Sequence, residues 1–126
     1  MDRLHVLIFD DDVDHAEVMA EFLAMHHHAV AVVHDLDAAW EEVVRRPPQV
    51  LVADFRIGDG DSGDLLERIH RAFPRVRCLL VTGSDRAEWG ALLERKLVHA
   101  ALMKPFDLLE LMRLVERGPN TMKESQ

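Results

Sequence analysis

Five side chains at four separated places can do chemistry together: Asp10 and Asp11, then Asp54, Thr82 and Lys104. Like charges a few ångströms apart in a partly dry cleft raise one another's pKa. Gathering Asp10, Asp11 and Asp54 therefore calls for a cation. The donors are all oxygens, with neither His nor Cys among them, which suits hard Mg2+ rather than zinc. Mg2+ keeps several waters and uses one or two carboxylates plus a phosphate oxygen, so two or three Asp side chains are enough. A carboxylate can also act as a nucleophile and form an acyl phosphate. The incoming phosphoryl oxygens then need neutralising by the metal, by an ammonium such as Lys104 and by a hydroxyl such as Thr82. Gly83 carries no side chain and leaves room for the group to approach.

Taken singly, these features are ordinary. An acidic run after a strand is a common helix start. A lone Asp or Thr at a strand end is a turn or structural residue, and Lys-Pro is a loop. The reading rests on their joint order, each at the end of a different predicted strand.

The elements that must position them alternate strictly. Strand-like runs cover Leu4–Phe9, Ala29–His34, Val50–Asp54, Val76–Val81 and His99–Met103. The first, third, fourth and fifth are nearly continuous apolar runs, as in a parallel sheet covered on both faces. Between them run helical stripes: Val18, Met19, Phe22 and Leu23; Leu36, Ala39, Trp40, Val43 and Val44; Leu65, Leu66, Ile69 and Phe73; Trp89, Leu92 and Leu93; Leu108, Leu111, Met112 and Val115. Asp12, Asp35, Ser62 and Ser84 are predicted N-caps. Pro47-Pro48 separates the second helix from the third strand, and Gly118-Pro119 ends the last helix. The fold class is therefore α/β, a doubly wound (βα)5 unit with a five-stranded parallel sheet of order 2-1-3-4-5. In that flavodoxin-like arrangement the site lies at the carboxyl ends of strands 1 and 3. Strand 1 ends in Asp10-Asp11-Asp12, strand 3 in Asp54, strand 4 in Thr82-Gly83-Ser84 and strand 5 in Lys104-Pro105.

The totals agree with one domain over residues 1–126, with its core at about 4–117 and a polar tail at 118–126. At 48% hydrophobic the chain can bury a core. Fifteen basic against twenty-three acidic side chains leave a formal charge of −8, which disfavours direct binding to nucleic acid or to an anionic membrane. Cys78, the one cysteine, lies in an apolar run and reads as a small core residue suited to a reducing compartment. No basic start leads into an apolar signal core, and no apolar run approaches a membrane span, so the cytoplasm is the expected location.

The motifs resemble the receiver domains of two-component response regulators from Leu4 to about Arg117. Val6-Leu7-Ile8-Phe9-Asp10-Asp11-Asp12 resembles the family's first strand and acidic pair. Leu51-Val52-Ala53-Asp54 with the loop Phe55 to Asp61 resembles the phosphoacceptor strand, and Val81-Thr82-Gly83 and Met103-Lys104-Pro105-Phe106 resemble the last two signatures. The resemblance implies that Asp54 is the phosphoacceptor, and that Asp11 and Asp54 bind Mg2+ directly and Asp10 through water. It makes the backbone carbonyl of Arg56 a further ligand. Thr82 and Lys104 would contact the phosphoryl group, and the Lys104-Pro105 bond would be cis. Arg56 and Ser84 would tune how long the group survives. A sensor histidine kinase or histidine phosphotransfer protein would be the donor, and helix 4, strand 5 and helix 5 a dimer face.

The chain also departs from that pattern. Gly58 stands where proline is usual and Ser62 where glycine is common, so the loop after Asp54 is glycine-rich and expected to be more mobile. Ala101 replaces the Tyr or Phe that lies three residues before the lysine, so transmission would rely on Thr82 and the following loop, or on another surface.

His26-His27-His28 reads as a solvated helix end, because adjacent residues on a helix do not share a face. His15 follows the acidic run and is placed to touch the site's rim, but it reads as exposed. Trp40 and Trp89 read as helix anchors, with Trp89 a contact candidate if exposed.

The leading reading is a phosphoryl-accepting switch rather than a turnover enzyme. No output domain fits into 126 residues, so it would act through a protein partner, as a single-domain regulator, a relay intermediate or a piece of a larger protein. Met1 and the untagged tail favour a stand-alone protein or an N-terminal fragment. The alternative is a docking or dimerisation module of the same fold that is never phosphorylated. A haloacid-dehalogenase-type hydrolase fits less well, because Asp14 breaks its Asp-x-Asp-x-Thr/Val pattern at the fifth place. No Ser/Thr/Gly loop follows strand 1 to hold a phosphate as a flavodoxin-type binder would.

Overall fold

The computed structural model describes residues 3–117. The predicted stop at Gly118-Pro119 and the polar tail lie outside the described residues. In chain order the elements are β1 (His5–Phe9), α1 (Val13–Met25), β2 (Ala29–Val33), α2 (Leu36–Arg45), β3 (Val50–Asp54), β4 (Arg56–Ile57), β5 (Gly60–Asp61), α3 (Gly63–Ala72), β6 (Arg77–Thr82), α4 (Arg86–Glu94), β7 (Ala100–Met103) and α5 (Leu108–Glu116). The main sheet is parallel with order β2-β1-β3-β6-β7, which is 2-1-3-4-5 once the β4–β5 ribbon is set aside.

Alternation along the strands explains the two layers. Val6, Ile8, Val50, Val52, Leu79 and Val81 face α1 and α5 and pack with Met19, Leu23, Leu111 and Val115. Leu7, Phe9, Leu51, Ala53, Cys78 and Leu80 face the other way and pack with residues of α2, α3 and α4, including Val43, Leu66, Ile69 and Trp89. Both faces of β1, β3 and β6 are thus buried, which is why those strands read as unbroken apolar runs. Among the described residues no helix is long and apolar enough to cross a membrane.

Several local expectations are corrected. The helix after β6 begins at Arg86 with Asp85, not Ser84, at its N-cap. The Ser84 N–H is taken by Thr82 Oγ1 at 2.9 Å, so a side-chain turn occupies that residue first. Ser62 does stand at the N-cap of α3 but makes no side-chain cap bond. Val18 and Val44 fall off their buried stripes and are about half exposed.

His28 is not solvated: its side chain is buried, Nδ1 accepts the Leu4 N–H at 3.2 Å, and Nε2 donates to Glu116 Oε2 at 2.8 Å. The turn that tucks it in is a Schellman cap on α1. His28 N–H reaches the Leu23 carbonyl, His27 N–H reaches that of Ala24, and His27 takes the left-handed conformation at φ 74.

The glycine-rich stretch after Asp54 forms the short β4–β5 ribbon. Arg56 pairs with Asp61 and Ile57 with Gly60, and Gly58 turns the corner at φ 56.

Candidate functional site

Parallel pairing lines up the strand tips. Phe9 lies beside Ala53, Asp54 beside Val81, and Thr82 beside Met103. The next residues on β1 and β7 are Asp10 and Lys104, so one crevice collects all of them. Single carboxylate oxygens of Asp10, Asp11 and Asp54 lie within 4.8 Å of one another. Asp10 is fully buried, Asp54 nearly so, and Asp11 is exposed at the mouth. This set of hard oxygens, open on one side, fits an octahedral divalent ion that keeps some of its water.

The electrostatics follow from burial. Asp54 is raised from 3.8 to about 6, chiefly because burial strips water from its charged form. Lys104 opposes that shift, with Nζ at 3.0 Å from Asp54 Oδ2, while the Asp10 charge adds to it. Lys104 Nζ is 3.9 Å from Asp10 Oδ2, so the ammonium serves Asp54 first. One lysine thus faces several carboxylates, and a cation would relieve what remains.

Thr82 is fully buried at the tip of β6, its Oγ1 engaged by the Ser84 N–H. A Cβ added at Gly83 would meet only Lys104 Cβ, at an ordinary 4.0 Å. The Lys104–Pro105 peptide bond is cis, and the Lys104 N–H donates to the Thr82 carbonyl at 2.7 Å. The Arg56 side chain leaves the crevice, pairs with Glu88 on α4 and lies near the face of Phe55. Ser84 is half-buried, and its carbonyl accepts from Trp89 Nε1 at 3.0 Å. Trp89 is therefore an internal strap between α4 and this loop; at 3% exposure it offers no contact surface. Trp40 is half-buried under the Arg68 guanidinium, which stands 3.8 Å from the ring centre. Ala101 packs against the layer that contains Trp89.

Two contacts go beyond the sequence reading, which gave His15 at most a touch on the site's rim. His15 reaches back to Asp10: a carboxylate only accepts, so Nδ1 donates to Oδ2 at 3.0 Å. Side chains of a first helical turn lean toward the N-terminus, and a helix starting at Val13 aims position 15 at the acidic run; that was the available signal. The Gly58 N–H donates to Asp11 Oδ2 at 2.8 Å, a bond that a proline there could not make.

The family model described as the response regulator receiver domain matches residues 6–116. The DNA-binding transcriptional regulator NtrC of Azospirillum brasilense is 26% identical over 121 residues, which is 96% of this chain and 25% of that protein. The crystal structure of NtrX from Brucella abortus superposes with a TM-score of 0.85 at 24% identity, over 98% of this chain and 28% of that one. A CheY-like receiver domain protein from Methanospirillum hungatei gives a TM-score of 0.81 at 20% identity, over 99% and 100% of the two chains. The chain spans about a quarter of the length of the NtrC and NtrX relatives it matches.

Proposed function

Since this chain belongs to the response regulator receiver domain family, we propose that it accepts a phosphoryl group on Asp54 and so changes its protein contacts. The observation that carries this reading is the Lys104 ammonium at 3.0 Å from the most perturbed carboxylate, beside two further aspartates with oxygens close enough to share a cation. Asp11 and Asp54 would hold Mg2+ directly, Asp10 through water, with the Arg56 carbonyl as a further ligand. When bound, the ion supplies charge neutralisation for the phosphoryl oxygens.

The donor is a phosphohistidine on a sensor kinase or phosphotransfer protein. An Asp54 oxygen attacks phosphorus, the O–P bond forms as the N–P bond breaks, and the departing imidazole takes a proton from solvent. Lys104 shifts from the carboxylate to the transferred group. Thr82 gives up the Ser84 N–H and turns its hydroxyl inward, beside Gly83. Arg56, released from Glu88, and Ser84 then set how easily water reaches the phosphorus. With Ala101 small, the change reaches α4 through the Thr82–Ser84 loop and the Trp89 strap rather than through a ring at that position.

The unit, with its core at residues 4–117, is a switch and not a turnover enzyme. It works in the cytoplasm on a protein partner, without direct nucleic-acid or membrane contact. Its exposed α4–β7–α5 face serves as the surface for a second copy.

The test is mass detection of phosphate after incubation with an acyl phosphate donor and Mg2+. Wild type is expected to gain one phosphoryl group, lost with a chelator and absent in Asp54→Ala. A wild type that stays unmodified, with amide spectra unmoved by beryllofluoride and Mg2+, would show a docking module instead.

A further inference from the structure

Asp10 presents a problem that Lys104 does not solve. Its carboxylate is fully buried beside another buried acid, yet the lysine ammonium stops 3.9 Å away and bonds Asp54 instead. A buried charge without donors is costly. The structure supplies donors from elsewhere. Oδ1 accepts the Asp12 N–H at 2.9 Å, and Oδ2 accepts His15 Nδ1–H at 3.0 Å. The Asp10 carbonyl accepts His34 Nδ1–H at 2.9 Å. The His15 ring is itself held. It stands on the first turn of α1, and its centroid lies 5.7 Å from that of Phe106, just past the Lys104–Pro105 turn. His15 thus links β1, α1 and the β7–α5 connection across an open recess of about 450 Å³ lined by Asp12, His15, Lys104, Pro105 and Phe106.

We infer that His15 is a positioning residue that fixes the Asp10 carboxylate for the metal and keeps Lys104 free for Asp54 and the phosphoryl group. The inference rests on the function proposed above. Among the described residues, His15 is the side-chain donor bonded to Asp10 Oδ2. Without it, that oxygen turns toward the nearest remaining cation, Lys104. The lysine is then shared between two carboxylates, and the face of Asp10 that serves a metal-bound water swings away. A partner one step removed from the ion acts in this manner by orienting a ligand, and its loss commonly weakens metal binding by 10- to 100-fold.

The experiment is a Mg2+ titration of the unphosphorylated full chain at one fixed pH, followed by amide chemical shifts. His15→Phe keeps the ring and its packing on Phe106 but deletes the N–H; it should weaken Mg2+ affinity by roughly 10-fold. His15→Asn places an amide N–H where Nδ1 was and should recover most of that loss. In phosphorylation, His15→Phe should raise the Mg2+ concentration for half-maximal rate, and His15→Asn should bring it back toward wild type. Melting in chelator checks folding, and if His15→Phe does not fold, His15→Leu against His15→Asn decides the same point. Equal Mg2+ affinity in wild type and His15→Phe overturns the inference, as does a His15→Asn as weak as His15→Phe. Wild type that neither binds Mg2+ nor gains phosphate would instead remove the function on which the inference stands.

Discussion

At the carboxyl ends of the strands Lys104 bonds Asp54, stops 3.9 Å from Asp10 and leaves charge uncompensated among Asp10, Asp11 and Asp54. At the amino ends of the same sheet Arg77, His28 and His99 are each bonded, while the two ring nitrogens of His5 are buried without a partner among the described residues. Arg77, first residue of β6, donates to the carbonyls of Leu114 and Val115 in the last turn of α5, one of them at 2.6 Å. A cation there satisfies orphan carbonyls and complements the helix dipole. His28 joins the Leu4 backbone to Glu116 near the end of the same helix. His99 Nδ1 accepts the Cys78 N–H at 3.1 Å. Repulsion is concentrated where chemistry is proposed, and bonding is concentrated where α5 must be anchored. The difference teaches that one sheet can hold a reactive crevice because its far end is tied down.

The comparison breaks most sharply at Arg77. Arg77→Leu should lower stability by about 3 kcal/mol, since two carbonyls of α5 lose a charge-assisted donor in a buried setting. Denaturant unfolding measures it, and a loss under 0.5 kcal/mol would mean that the amino end is not the anchor.

Asp54→Asn should act in the opposite direction. In Mg2+-free buffer at neutral pH it should raise stability by roughly 1 to 2 kcal/mol, less than the whole Asp54 shift because an amide does not reproduce every contact of a protonated carboxyl. The sign follows from linkage. Burial raises the Asp54 pKa in the folded state, so the native protein holds that proton more tightly than the unfolded chain. Stability contributed by this group therefore falls as pH rises from about 4 to about 6, and the full penalty stands above that. Wild type should show this fall relative to Asp54→Asn, and Mg2+ should restore what neutral pH removes. Parallel stability curves for the two proteins would contradict it.

His99 should show a smaller effect of the other sign. Burial first, then the nearby Arg77 charge, lowers its pKa below the ordinary 6.5. The unfolded chain then binds the proton more readily, so stability is lost as pH falls below about 6.5 toward the folded value. His99→Asn keeps an acceptor near the Nδ1 position and does not titrate, so it should flatten that acid-side loss. An unchanged acid limb would assign the loss to other groups.

Most of this architecture was legible because period and punctuation agree. Apolar runs set the order of the strands, helical stripes set the layers, and Asp12 and Asp35 do cap α1 and α2 through their side chains. Strand tips were legible as a set, since a parallel sheet brings residues that follow strands to one edge. What stayed hidden depends on rotamers and single backbone bonds rather than on spacing. His28 looked like part of a solvated run, yet a left-handed His27 turns the chain and inserts it under α5. Ser84 looked like a cap until Thr82 took its N–H. The ribbon after Asp54 carries alternation over Phe55-Arg56-Ile57 alone, too short to mark a strand; it forms around Gly58.

Gly58 gives the finest division between the two regions, because it contributes both a turn and a donor to the acidic end. Its φ of 56 is a left-handed value that a residue with a Cβ adopts at a cost of about 1 kcal/mol. No heavy atom lies within 4 Å of where that Cβ would sit, so the conformational term stands alone. Gly58→Ala should therefore cost about 1 kcal/mol of stability and leave Mg2+ affinity near wild type, because the N–H on Asp11 survives. Gly58→Pro forbids that φ and deletes the donor, and it should weaken Mg2+ as well. Equal loss of Mg2+ affinity in both variants would mean that the shape of the ribbon, and not its hydrogen bond, holds Asp11 in place.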